Sequence, residues 1–137
     1  MGSGGGFPGL VVGILARETG SPETVTLIET DSRKSTFLST AIRELGLAAT
    51  VRTERIEAVP PMAADVISAR ALADLDALLG FASRHLAETG EALFPKGANW
   101  EKELRDARSA WQFECRVDKS LTSSDSVILR IRGVSRA

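Results

Sequence analysis

Gly2-Ser3-Gly4-Gly5-Gly6-Phe7-Pro8-Gly9 is the stretch from which the fold of this chain can be inferred. Its glycines carry no Cβ, so the backbone can approach a ligand closely and adopt positive φ angles. Pro8 suits the first position of a helix, and apolar residues at helical spacing follow from Leu10 to Leu15. A glycine-rich loop thus leads into a helix N-terminus, where free N–H groups favour an anion. This pattern is typical of a nucleotide or cofactor loop; the alternative is that residues 1–6 form a flexible leader.

The length and composition indicate a globular protein whose surface is not generally basic. The 137 residues predict one domain, 1–137, and the net charge of −1 excludes a generally basic protein. Any contact with nucleic acid would therefore need a local basic patch. No apolar run is long enough to span a membrane, and a single cysteine fits a reducing, cytoplasmic location.

The chain has one cysteine and one histidine, and neither predicts catalytic or metal chemistry. Cys115 lies on an alternating apolar face, so a buried structural position is favoured over a nucleophile. His85 lies near the end of a predicted helix, where we expect a solvated or dipole-facing side chain. Zinc sites and Ser-His-Asp sites need more partners than these, so we expect no metal.

Strand and helix patterns alternate along the rest of the chain. Helix signals include Asp31 and Asp74 as N-caps, Gly46 and Gly90 beyond helix ends, and Asn99 as a further N-cap. The apolar, β-branched strand patterns cover residues 25–29, 48–53, 65–69, 91–94, 111–117 and 127–131. This order predicts a mostly parallel sheet covered by helices, with an antiparallel C-terminal hairpin at its edge.

Ligands of such sheets bind beyond the carboxyl ends of the strands, where several charged residues lie. Glu29 ends a strand a little over 20 residues past the glycines, a position that suits an acceptor for ribose hydroxyls; the alternative is an acid at a helix start. Arg70 ends another strand and needs an anionic partner, either a ligand or a neighbouring acid such as Asp74. The same argument applies to Lys96.

Further cations could form a basic rim on this side of the sheet, suited to phosphates, although each is by default an ordinary solvated charge. They are Arg33, Lys34, Arg52 and Arg55.

Taken together, these residues resemble one family, the bacterial 16S ribosomal RNA guanine-N7 methyltransferases, also called the glucose-inhibited division protein B family. The resemblance begins with the glycine-rich stretch and continues in order through most of the chain. The matching segments are Val25-Thr26-Leu27-Ile28-Glu29, Arg33-Lys34 with Phe37-Leu38, Arg55-Ile56-Glu57, Ser68-Ala69-Arg70-Ala71-Leu72, Leu93-Phe94-Pro95-Lys96-Gly97 and Leu129-Arg130-Ile131-Arg132. This coverage argues against the leader interpretation of the glycines.

The resemblance implies a Rossmann-like class I methyltransferase fold that uses S-adenosylmethionine (AdoMet). It implies methyl transfer to N7 of guanine 527 in 16S rRNA, with the RNA within the small ribosomal subunit or a precursor. Gly2, Gly4 and the Phe7 backbone would hold the methionine portion of AdoMet, and Glu29 its ribose. The pair Ile56-Glu57 would flank the adenine.

The remaining roles implied by the resemblance fall on basic residues. Arg70 would reach the cofactor or the target base, as the catalytic residue. Arg33, Arg55 and Lys96 would contact RNA phosphates. No membrane or metal partner is implied.

The sequence departs from the family pattern at its start, where Met1 stands in place of a strand and upstream helices. We therefore expect an AdoMet-dependent methyltransferase domain that is incomplete at its N-terminus, with its sheet in two halves. Two alternatives stay open: a methyltransferase of the same architecture with another substrate, and an inactive fragment or RNA-binding module. An NAD-type oxidoreductase is disfavoured, because the terminal hairpin and the basic strand ends do not fit that pattern.

Overall fold

The computed structural model describes residues 1–137 and divides them into two compact units. Unit 1 covers Met1–Val59 and unit 2 covers Pro60–Ala137. The strands of each unit form their own sheet, as the sequence predicts for a sheet in two halves. The assignment of residues 1–137 to one domain stays a prediction.

Unit 1 is built on two parallel strands joined by a helix. Val25 lies opposite Ala49 and Glu29 lies opposite Thr53, so both strands end at the same edge. The elements are α1 (Gly9–Thr19), β1 (Val25–Glu29), α2 (Ser32–Leu45) and β2 (Ala49–Thr53). Every one of them corresponds to a pattern in the sequence.

Helix α2 begins and ends at the predicted capping residues. The Asp31 carboxylate accepts a hydrogen bond from the Lys34 amide at 2.9 Å, and Gly46 adopts a left-handed φ of 63°. Leu38 is fully buried, but Phe37 is more than half exposed. The apolar side chains of this helix are therefore only partly buried.

Unit 2 is a four-stranded mixed sheet with the order β3-β4-β6-β5. Strand β3 is parallel to β4, whereas β4 pairs with β6 and β6 with β5 in antiparallel fashion. The elements are β3 (Ala64–Ser68), α3 (Leu75–His85), β4 (Leu86–Lys96), α4 (Trp100–Ala107), β5 (Trp111–Lys119) and β6 (Val127–Arg136). The predicted C-terminal hairpin is confirmed.

The core of unit 2 lies where α3 packs on β3, β4 and β6. Phe94, Leu129 and Ile131 supply completely buried side chains from the sheet, and Leu75 and Leu79 supply them from the helix. Residues 92 and 94 are buried in β4, and 129 and 131 in β6, which is the period-two pattern of a sheet with one covered face.

Strand β4 is longer than its pattern predicts. It begins at Leu86, directly after α3, so Gly90 lies inside the strand and does not close the helix. A Cβ at Gly90 would stand 2.7 Å from the carbonyl oxygen of Ala64. This glycine therefore permits a close approach of the β3 backbone, a contact that local sequence does not indicate.

Strand β6 also extends further than predicted, and a bulge at Gly133 allows its pairing with β5 to continue. Its φ is 62°, and residues 133 and 134 fall where the pairing shifts between Gln112 and Glu114. A bulge with a left-handed glycine absorbs the extra residue, and pairing resumes as far as Trp111 opposite Arg136.

The expectation of a solvated His85 was wrong, although the residue does lie in the last turn of α3, whereas the cysteine expectation fits. His85 is 1% exposed, because it lies on the same buried face of α3 as Leu78 and Ala82. Cys115 is half-buried, and this burial raises the pKa of its thiol despite the charge of Arg108. A raised pKa keeps the sulfur protonated and disfavours a nucleophile.

None of the helices combines the length and the apolar character needed to cross a bilayer.

Candidate cofactor and substrate sites

The glycine-rich stretch forms a series of turns that lead into α1 and lie against the end of β1. Gly2, Gly4 and Gly6 have φ angles of 60°, 48° and 98°, in the region that favours glycine. The Ser3 amide donates to the Ile28 carbonyl at 3.1 Å, which ties the loop to the strand. The Leu10 amide then donates to the Gly6 carbonyl at 2.7 Å, so the helix begins directly after the loop.

Neighbouring glycines of this loop are under different constraints. A Cβ at Gly6 would lie 2.4 Å from the Leu10 Cδ1 atom, in addition to the positive φ. A Cβ at Gly5 would meet no atom within 4 Å. Gly6 is therefore required by the turn itself, whereas Gly5 leaves open space beside the backbone.

Glu29 lies at the end of β1 and holds the loop through its carboxylate. Its Oε1 atom accepts a hydrogen bond from the Gly4 amide at 2.8 Å. Its Oε2 atom accepts from the amides of Thr30 at 2.7 Å and Asp31 at 3.1 Å. One buried side chain thus joins the glycine loop to the turn between β1 and α2.

The electrostatics of Glu29 keep it ionised. Burial by itself disfavours the charged form, but the amides of Asp31, Gly4 and Thr30, with the nearby charge of Lys34, outweigh it. The net result is a pKa below the usual value for a glutamate. A carboxylate has about four acceptor positions, and three are used here, so Glu29 can still accept one ligand hydroxyl.

The loop-holding role of Glu29 was missed from the sequence. The expected contact of Glu29 with a ribose was based on the number of residues between Glu29 and the glycines. That separation indicates that the two segments lie close together, but it does not indicate a hydrogen bond between Glu29 and Gly4. The only signal was an acid at the end of a strand and shortly before a helix, which also fits an ordinary helix-start residue.

The other cofactor residues expected in unit 1 lie on its loops. Phe7 is largely exposed beside the start of α1. Ile56 is buried in the turn after β2, and Glu57 is exposed with its carboxylate 3.7 Å from the Arg55 guanidinium. Their contacts with the methionine and adenine portions of AdoMet stay predictions.

Two expected RNA contacts also belong to unit 1. Arg33 is exposed in the first turn of α2 and makes no ion pair. Arg55 is also exposed, and its ion pair with Glu57 is long and solvated. Such a pair is weak, so a phosphate can compete with Glu57 for the Arg55 guanidinium. Their roles stay predictions.

Unit 2 brings the other two expected site residues, Arg70 and Lys96, to one cleft. This open cleft has a volume of about 550 Å³. Arg70 follows β3 and Lys96 ends β4, so the ends of two parallel strands form one side. The loop between β5 and β6 forms another, through Ser120, Thr122 and Ser126.

The two cations of the cleft differ in their partners. The Lys96 ammonium lies 2.7 Å from Glu103 Oε2 and 3.0 Å from the Ala73 carbonyl, and its side chain is only 9% exposed. The same Glu103 oxygen accepts from the Leu75 amide at 2.8 Å. Lys96 therefore joins β4, α3 and α4, and this internal partner speaks against the expected phosphate contact.

Arg70, by contrast, is exposed and makes no ion pair. The alternative of a structural pair with Asp74 was wrong, because the Asp74 carboxylate caps α3 by accepting from the Ala77 amide at 3.0 Å. The Arg70 guanidinium is thus available to an anion from outside.

Comparison with solved structures defines the fold. A ribosomal protein L11 methylase from Lactobacillus delbrueckii subsp. bulgaricus matches 98% of this chain and 66% of its own, with a TM-score of 0.72 and 20% identity. A TehB-like SAM-dependent methyltransferase from Corynebacterium glutamicum matches 96% of this chain and 76% of its own, with a TM-score of 0.68 and 18% identity. The fold is therefore the Rossmann-like fold of class I AdoMet-dependent methyltransferases.

Sequence comparison narrows this class to one family. The family model described as GidB, rRNA small subunit methyltransferase G, matches residues 1–131. The ribosomal RNA small subunit methyltransferase G of Ruegeria sp. is 57% identical over 136 residues, and that of Ruegeria pomeroyi is 56% identical over 137. The chain belongs to the rRNA small subunit methyltransferase G family, as its resemblance indicates.

The matches cover nearly all of this chain but not all of the relatives. Each of the two Ruegeria proteins is matched over 99% of this chain, which corresponds to 66% and 67% of their own lengths. The chain thus spans about two thirds of the length of these curated relatives.

Proposed function

We propose that this protein transfers the methyl group of AdoMet to N7 of a guanine, position 527, in 16S rRNA. Membership of the rRNA small subunit methyltransferase G family supports the substrate. The observation that carries the cofactor is the Glu29 carboxylate, which orders the glycine loop and keeps one acceptor position. Action on ribosomal RNA implies a cytoplasmic location.

The residues of unit 1 fit the chemistry of AdoMet. The loop brings bare backbone to the start of α1, where unpaired N–H groups favour the carboxylate of a methionine moiety. Glu29 accepts a hydrogen bond from a ribose hydroxyl with its remaining lone pair. Ile56 and Glu57 belong to the adenine end, as the family pattern implies.

The reaction requires positioning more than proton transfer. AdoMet supplies a methyl group on a cationic sulfonium. Guanine N7 has an in-plane lone pair and carries no proton, so the chain needs no general base. This agrees with the burial of His85 within α3. The chain must hold guanine N7 in line with the methyl group and the sulfur of AdoMet. It must also provide an electrostatic environment that stabilises the positive charge as it moves from the sulfur to the guanine.

The RNA partner is 16S rRNA, alone or within the small subunit or a precursor. N7 faces the deep groove of A-form RNA, which side chains cannot enter, so the target guanine lies in a loop or a splayed strand. Arg33 and Arg55 are exposed cations suited to phosphates of such a segment. Arg70 acts at the reacting end, and Lys96 supports the cleft from inside.

Titration calorimetry with AdoMet tests the cofactor part of this proposal. We expect the wild-type chain to bind, and Glu29→Gln to bind at least tenfold more weakly, because the amide loses the charge that holds Gly4. Glu54→Gln is the matched control, since Glu54 is a half-exposed acid paired only with Arg52 at 3.8 Å. Equal affinity of Glu29→Gln and wild type would remove Glu29 from the cofactor site.

A further inference from the structure

We propose that the hydroxyl pair of the β5–β6 loop, Ser120 and Thr122, binds a backbone phosphate of the substrate RNA together with Arg70. This inference rests on the proposed function, since it assigns a phosphate subsite within the same reaction. The subsite lies wholly in unit 2, in the cleft lined by these three residues.

The charges of the cleft favour an anion. Lys96 and Glu103 also line it, but they neutralise each other at 2.7 Å. Arg70 makes no ion pair and leaves the cleft with one uncompensated positive charge. A guanidinium presents its N–H groups as a planar fork that matches two phosphate oxygens.

The hydroxyl pair adds neutral donors to this cation. Ser120 Oγ and Thr122 Oγ1 lie 3.1 Å apart, so one hydroxyl donates to the other. The Thr122 amide also donates to Ser120 Oγ, at 3.2 Å. Two hydroxyls carry two protons and their mutual bond uses one, so the pair keeps one O–H for an acceptor in the cleft.

The ends of the loop are held by backbone contacts. The Ser120 amide donates to the Ser126 carbonyl at 3.0 Å, directly after β5 and before β6. The ladder between the two strands reaches Lys119 opposite Val127. Because the hairpin holds the loop ends, loss of the two hydroxyls should leave the cleft in place.

Hydroxyl and arginine contacts to phosphate are the ordinary means by which proteins position a nucleic acid. A flexible RNA segment held at one phosphate has its neighbouring base restrained as well. The subsite therefore contributes to placing the target guanine, which is the main requirement of the reaction.

The test is RNA binding by the Ser120→Ala/Thr122→Val double variant, measured by filter binding with unmethylated 16S rRNA at several salt concentrations. We expect affinity to fall about three- to tenfold, the effect of one neutral hydrogen bond. The dependence on salt should be unchanged, because no charge is lost, whereas Arg70→Ala should lower its slope by about one.

Two matched variants control for effects on the loop itself. Ser123→Ala/Ser124→Ala removes two hydroxyls from the same loop that do not line the cleft, and it should bind as wild type does. Ser120→Thr/Thr122→Ser keeps both hydroxyls and should restore affinity. Wild-type affinity of the Ser120→Ala/Thr122→Val variant, or an equal loss in the Ser123→Ala/Ser124→Ala control, would overturn the subsite.

AdoMet titration of the same variants separates this inference from the proposed function. Ser120 and Thr122 belong to unit 2, so cofactor affinity should stay at the wild-type value. A chain that binds RNA through the hydroxyl pair but fails to bind AdoMet would refute the proposed function and keep the subsite. A chain that binds AdoMet and RNA, with wild-type RNA affinity in the Ser120→Ala/Thr122→Val variant, would refute the subsite alone.

Discussion

The ionised carboxylate of Glu29 makes the fold of unit 1 sensitive to acid. Its pKa lies below the unfolded value near 4.5, so its stabilising effect is complete above that value and is lost as the pH falls through the folded pKa. Glu29→Gln should therefore cost about 1–3 kcal/mol at pH 7 and progressively less below about pH 4.5.

Thermal unfolding of both proteins from pH 7 to pH 3 measures this difference. The pKa of Glu91 is also lowered, by hydrogen bonds from Arg130 and Arg132 against the opposing effect of burial. Glu91 is present in both proteins, so the difference between them isolates Glu29. A gap in melting temperature that does not change with pH would contradict the assignment.

Arg70 is the residue whose loss should reduce activity without affecting the fold. Its side chain is exposed and pairs with no acid, so Arg70→Ala should keep the melting temperature within a few degrees. Methyl transfer to 16S rRNA should fall by tenfold or more, with Arg70→Lys intermediate because a lysine cannot form the planar fork. Unchanged turnover of Arg70→Ala would exclude Arg70 from the reaction.

Loss of Lys96, in contrast to loss of Arg70, should lower the stability of the fold. Lys96→Met leaves Glu103 with no counter-charge beside the start of α3 and should destabilise unit 2 by about 1–3 kcal/mol. We expect the salt dependence of RNA binding to be unchanged, because the ammonium is already paired with Glu103. A slope lowered by about one, with unchanged stability, would restore the RNA contact that the sequence predicts.

Among single elements, the glycine loop and the start of α1 depend more on Gly6 than on Gly5. Gly6→Ala forces a side chain into a φ of 98° and against Leu10, so it should cost about 1–3 kcal/mol and weaken AdoMet binding by tenfold or more. Gly5→Ala is the matched control, since its Cβ enters open space. Calorimetry of the two variants checks the difference, and equal affinities would show that the loop conformation differs from the one described.

Local signals predicted most of these elements, because caps and turns act within a few residues. Asp31, Gly46 and Asp74 mark helix ends in the sequence and do so in the structure. The predicted end of α3 lies too late in the chain, because the sequence pattern indicates Gly90 as a residue that closes the helix. Gly90 instead permits a close approach to Ala64, which is distant in sequence. The bulge at Gly133 was likewise invisible, because it depends on the pairing of β6 with β5.

At the scale of the whole molecule, the sequence predicted the class of fold and the residues at the strand ends, but not how those residues share partners. The alternation of patterns and the order of motifs were enough for the family. The bond from Gly4 to Glu29 spans 25 residues and that from Leu75 to Glu103 spans 28, beyond the reach of local patterns. The hydroxyl pair of the β5–β6 loop gave no signal, because serine and threonine are common in any loop.

Methyl transfer from radiolabelled AdoMet to unmethylated 16S rRNA, free and within small subunits, tests the central claim most directly. The labelled guanine is mapped by strand cleavage at N7-methylguanosine, with Arg70→Ala as the control. The account predicts label at N7 of guanine 527 alone, strongly reduced in the variant. Absence of label from both substrates, or label at another atom or base, would contradict it.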